Sequence, residues 1–194
     1  MALPKGFETP RLRRLQNFVE SEHGVSFGSW PQPSKDDYAL IGIVVVMYSY
    51  IDLNLRRIVE ALEHSGRLKP PWNGKVDKLT ITDVEKAIQS IPEWSEANRF
   101  ALKRIEDIRP VRNLAAHFAL KRFPNDEAFL FITKSTRDFK QVFGAEPPPG
   151  AALTAIIEIE PLKKLLEDCE GLLAWLSKAT LEVEADWKRL KANI

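Results

Sequence analysis

The chain has 194 residues, 44% apolar and 28% charged, which describes a globular protein long enough for a full core and excludes a disordered one. Lysine plus arginine at 28 against aspartate plus glutamate at 27 leaves a formal charge of +1, too little for a bulk field that draws the molecule to nucleic acid or membrane. Cys169 is the only cysteine, which excludes an intrachain disulfide and fits a reducing cytosol; the histidines at 23, 64 and 117 show no metal-ligand spacing.

Residues 1–33 read as an N-terminal extension without a secretory apolar run. Within it, Pro10 to Glu22 predicts a short amphipathic helix with Leu12, Leu15, Phe18 and Val19 on one side, followed by a turn-rich connector from Gly24 to Pro33. The next segment predicts a long helix. Ser34 caps it, Asp36 and Asp37 suit its positive first turn, and Gly66 ends it. Val44 to Val46 favour strand locally, but strands run only ~4–8 residues, so length decides for helix. Its middle is apolar nearly all round, as expected of a central buried helix. The most apolar stretch, Leu40 to Ile51, falls short of the ~20 residues that span a bilayer, so the expectation is a cytoplasmic protein without a membrane segment.

A loop from Arg67 to Gly74 leads to a short helix, capped by Thr80 or Thr82 and running through Gln89. Pro92 opens another helix to Ile108, with Trp94, Phe100, Ile105 and Ile108 facing inward. Pro110 then starts a separate helix, because its missing N–H costs nothing in a first turn. That helix is expected to continue to just before Pro124. Ala128 to Thr133 and Leu153 to Glu160 read as two strands of a hairpin joined by a loop containing Glu146 to Gly150. A long amphipathic helix with apolar positions at 162, 165, 166, 172, 173 and 176 closes the chain, with Gly171 a weak point inside it. The expected fold is all-α (mainly): one helical-bundle domain over 1–194, with a small β-hairpin insertion at 127–160 before the C-terminal helix.

The helix after Pro110 carries the chemistry. On a helical wheel Val111, Leu114, Ala115 and Phe118 form the core stripe, while Arg112, Asn113 and His117 flank an outer strip of Ala116 and Leu120. Small Ala116 and apolar Leu120 suit a dimer interface between two copies of this helix. Arg112 and His117 lie ~140° apart, so the arginine of one chain meets the histidine of the other more readily than its own. Histidine exchanges protons near neutral pH and the planar guanidinium matches phosphate oxygens. The segment from Arg99 to Arg122 is locally basic, and Glu158 to Asp186 locally acidic. Asp52, a mid-helix carboxylate that needs a partner such as Arg112 or His117, and Arg109 are supporting candidates. Arg57 and His64 share the Arg–His spacing but lack the asparagine and sit at a helix end, where a structural role is expected.

Arg112-Asn113-Leu114-Ala115-Ala116-His117 resembles the Arg-(x4–6)-His signature of the HEPN superfamily, in which a polar residue, frequently asparagine, follows the arginine. The expected helical bundle, the long apolar earlier helix and a motif near the start of a late helix are similar to that family as well. In architecture the likeness covers Ser34 to Leu190, in motif Arg112 to His117 alone. It implies a metal-independent endoribonuclease without cofactor, a toxin or phage-defence effector, with Arg112, Asn113 and His117 catalytic in a composite site across a homodimer. Products would be a 2′,3′-cyclic phosphate and a 5′-hydroxyl, and an antitoxin or defence-system protein would be a partner. Some HEPN toxins carry a modifiable tyrosine two residues after the histidine; here that position is Ala119, so that control route is not supported. A catalytically silent HEPN-like module binding nucleotide or protein is the alternative, and an interaction protein with an accidental motif a third reading.

Overall fold

The computed structural model describes residues 9–21, 27–68, 76–91, 99–144, 146 and 153–192. Expectations at His23, Pro92, Trp94, most of the Arg67–Gly74 loop and most of the Glu146–Gly150 loop lie outside these residues. The fold is mainly helical with a small antiparallel sheet. In chain order come α1 (Pro10–Ser21), α2 (Lys35–His64), α3 (Ile81–Gln89) and α4 (Arg99–His117), then β1 (Ala119–Arg122) and β2 (Ala128–Thr133), and finally α5 (Thr136–Phe143), β3 (Leu153–Glu158) and α6 (Ile159–Ala192). The chain divides into two compact units, Met1–Val46 with Asp107–Glu167, and Met47–Glu106 with Asp168–Ile194.

Both ends of α2 are built from the residues that announce them. Asp37 N donates to Ser34 Oγ (3.1 Å) while Ser34 N donates to Asp37 Oδ2 (2.9 Å), a reciprocal cap. At the other end Gly66 takes φ +70°, Gly66 N donates to Glu63 O and Arg67 N to Leu62 O, both at 3.0 Å. That is the Schellman closure, and it needs a residue free to turn left-handed. The valine triplet is helical because packing of Val44 overrides local strand preference. By length and composition alone, α2 could cross a membrane. Within the second unit, however, its Ile51, Leu55, Ile58, Val59 and Leu62 are fully buried in protein.

In the first unit the sheet order is β1-β2-β3, with Arg122 opposite Phe129 and Ala128 opposite Glu158. The β2–β3 pairing follows the expectation; β1 does not, since 119–122 was expected to be helix. The cause is β2 itself. Phe129, Leu130 and Phe131 are almost wholly inaccessible, so the backbone of this central strand needs partners on both edges. Leu12, Leu15 and Val19 of α1 share a core with Trp30, Phe123, Leu130 and Ile156, where the Trp30 and Phe123 rings meet edge to face at 4.9 Å. Phe18, expected to face the same way, is 40% exposed at the margin of that core. Polar ties anchor α1: Arg11 Nε donates to Asp126 Oδ1 (3.0 Å) and stands 3.5 Å from Glu158 Oε1, and Thr9 Oγ1 donates to Glu158 Oε2 (2.8 Å). Arg122 fastens β1 through Asp37 Oδ1 and Glu127 Oε2, both at 2.6 Å, and its backbone N donates to Pro31 O at 3.0 Å.

The second unit is helical. Thr80 and Asp83 form a capping box at the start of α3. Val84, Ile88, Leu102, Ile105, Leu172 and Leu176 are buried in this unit, as are Leu55, Ile58 and Leu62 of α2. Asn54 and Thr180 form a buried polar pair (3.3 Å), and Arg57 grips both oxygens of Glu184 at 2.9 and 3.0 Å. His64 Nδ1 lies 2.7 Å from Glu60 O and its ring 5.1 Å from that of Trp187. Arg57 and His64 thus have structural duties. Phe100, expected inside, is 85% exposed, with the Arg99 guanidinium 5.8 Å over its ring.

Candidate functional site

The motif lies at the carboxyl end of α4, not near the start of a helix. Arg99–His117 is one continuous helix with Pro110 inside it, so Pro110 forgoes a backbone bond there rather than opening a new helix. His117 is its last residue. Phe118 N still donates to Leu114 O (3.1 Å), after which Ala119–Arg122 turns to pair with β2. Leu120 is therefore a half-buried strand residue opposite Phe131, and the outer helical strip of Ala116 and Leu120 does not exist. The dimer interface expected at Ala116 and Leu120 loses the helical geometry it rested on.

The core stripe is as the periodicity demands. Val111, Leu114 and Phe118 are buried, and Ala115 is half-buried. This seats Arg112 and Asn113 half-buried and leaves Ala116 and His117 exposed. Arg112 Nη1 donates to Asn113 Oδ1 at 3.2 Å, so the asparagine orients the guanidinium rather than the ring of the histidine. Arg109 is half-buried one turn earlier. Asp52 is met by Arg56 one turn further along α2: Arg56 Nε donates to Asp52 Oδ1 at 3.0 Å. Arg56 Nη1 also donates to the carbonyls of Val76 (2.8 Å) and Leu79 (2.9 Å), so Asp52 steadies a loop anchor instead of waiting for a motif partner.

Three of the seven basic residues between Arg99 and Arg122 form ion pairs inside their own unit. Of the basic run, Arg122 holds Asp37 and Glu127, Arg104 holds Asp168, and Lys103 stands 3.4 Å from Glu106. Burial pushes the Cys169 thiol up to about 11, against a smaller opposing effect of Arg104, which keeps it protonated and unreactive. A cavity of about 20 Å³ behind Val111 is lined by Leu12, Ile156, Leu162 and Leu165, too small and apolar for a ligand. Two wider depressions involve Arg11, Arg122 and Asp126, and Thr136, Arg137 and Lys140. No group of three or more His, Cys, Asp or Glu suited to a metal ion is found among the described residues. The motif presents a half-buried guanidinium oriented by Asn113 and, at the helix end, an exposed imidazole. No family model, curated protein or solved structure matches the chain.

Proposed function

We propose that this chain is a metal-independent endoribonuclease of the HEPN type, whose site is completed by a second copy. The observation that carries the reading is the contrast within the motif. Arg112 is half-buried and held by Asn113, which suits fixed charge on a phosphorane, while His117 is exposed at a helix end, which suits proton exchange. Two half-sites facing each other would pair each arginine with the other copy's histidine, which takes the 2′-hydroxyl proton and passes it to the leaving 5′-oxygen while the guanidinium holds the phosphorane charge. A toxin or phage-defence role in the cytoplasm, with an antitoxin or defence protein as regulator, accompanies that reading. The silent module that binds nucleotide through Arg112 is the alternative.

The test is cleavage of a single-stranded RNA with excess chelator present. Wild type should cut it to a 2′,3′-cyclic phosphate. His117→Ala and Arg112→Ala should each lose roughly 10²-fold or more, the usual worth of a proton-transfer group or a transition-state charge contact. His117 is exposed, so its replacement should leave stability within ~0.5 kcal/mol. Strict need for added magnesium or manganese would sink the mechanism. Nucleotide binding lost in Arg112→Ala, without cleavage by wild type, would select the silent module.

A further inference from the structure

We infer that the outer stripe of α2 is a self-association surface, on which two copies of this chain pair with their helices antiparallel. Val44, Tyr48, Ile51, Leu55 and Ile58 give α2 its buried side. On the other side Ile43, Val46, Tyr50 and Leu53 are 47, 55, 55 and 50% exposed. They recur at spacings of three, four and three, the seam by which one helix packs along another. Exposed Ala39, Gly42 and Ser49 alternate with them, and nothing lies within 4 Å of where a Gly42 Cβ would stand. Large side chains on one helix thus have small neighbours to receive them on its partner.

Charge at the stripe's ends selects both the occupant and its direction. Lys35 and Asp36 stand exposed at the amino end; half-buried Arg57 and exposed Glu60 stand at the carboxyl end. A parallel pair would set each of these beside its own copy. An antiparallel pair sets Lys35 against Glu60 and Asp36 near Arg57, and sets the two helix dipoles antiparallel. The register that joins Lys35 to Glu60 also places Leu53 over Gly42 and Val46 over Ser49. Arg57 already holds Glu184, so Lys35–Glu60 is the pair to probe. The pairing does not depend on the nuclease reading.

The test uses the full chain at ~20 µM in a sedimentation experiment, a concentration suited to a standard-strength homodimer. Wild type should sediment at twice the chain mass, and Val46→Arg with Tyr50→Arg at the single-chain mass with unchanged helical circular dichroism. Should that variant misfold, single cysteines decide. A short bis-maleimide should bridge Val46→Cys copies, which sit near the two-fold axis, but not Ala39→Cys copies, more than about 20 Å apart in the antiparallel pair. Buried Cys169 does not compete for the reagent. Lys35→Glu should weaken association ~3–10-fold through two symmetric pairs, and adding Glu60→Lys should restore it. Monomeric wild type, a double-arginine variant that still dimerises, or Ala39→Cys bridging as readily as Val46→Cys would each overturn the proposal. So would co-flotation of wild type, but not the double variant, with phosphatidylcholine–phosphatidylserine vesicles, which would assign the stripe to lipid.

Discussion

Asp126 shows how one carboxylate ties the start of the chain to the sheet. The Arg11 guanidinium, donating to it directly, holds the Asp126 carboxyl below the usual carboxylate range; burial opposes this, and Arg14 at 3.6 Å adds to the lowering. A carboxyl depressed on folding adds stability that is present above its unfolded value, about 4, and lost as pH falls through the folded one. The melting temperature of wild type should therefore drop on acidification below pH ~4 more steeply than that of Asp126→Asn, and the two should converge at the acid end. Parallel curves would show that Arg11–Asp126 carries no folding free energy. No spacing rule pointed to this pair, because residues 11 and 126 meet only once α1 lies on the sheet. The same holds for Arg122 with Asp37: the sequence offers one as part of a basic run and the other as a first-turn carboxylate, and only β1 brings them together.

Two glycines on helices should respond to alanine with opposite signs. Gly66 sits at φ +70° with open space around a would-be Cβ, so Gly66→Ala meets no clash and costs backbone strain alone, about 1 kcal/mol. Gly171 lies inside α6 with equally open space, so Gly171→Ala should gain about 0.5–1 kcal/mol from lower unfolded-state entropy and better helix propensity. Urea unfolding of both variants checks the pair; a stabilising Gly66→Ala would contradict the left-handed closure of α2. Helix starts and stops were legible where caps write them, as at Ser34, Thr80 and Gly66. They were not legible at the end of α4. Ala-Leu-Lys-Arg after Phe118 has good helix formers and no breaker until Pro124, and only the unfilled edge of β2 turns it into a strand. Pro110 misled in the other direction, since a proline marks a first turn well but does not forbid an interior place when surrounding packing holds the helix. Of the candidate site, the wheel gave the buried stripe and the exposure of His117 correctly, while the dimer strip failed because it needed Leu120 on a helix.

At the scale of the molecule, part of the basic and acidic runs is taken up by internal pairs such as Arg104–Asp168 and Arg122–Asp37, and Arg57 from outside the basic run takes Glu184 of the acidic one. RNA binding by the proposed nuclease would then rest on the few motif groups rather than on a broad cationic face, and its activity should depend on how copies assemble. Mixing inactive chains tests that directly. In a dimer of one Arg112→Ala chain and one His117→Ala chain, the first copy keeps His117 and the second keeps Arg112. If arginine and histidine act across the interface, one of the two working pairs survives in each mixed dimer. If they act within a chain, none does. Random exchange makes about half of the dimers mixed, so equal mixing should restore roughly a quarter of wild-type cleavage in the first case and none in the second. If the α2 stripe is also the interface that joins the half-sites, adding Val46→Arg and Tyr50→Arg to both chains should abolish the recovery. Recovery that persists in those monomerising backgrounds would place the shared site on some other interface, and absence of recovery with intact dimers would return the whole reaction to a single chain.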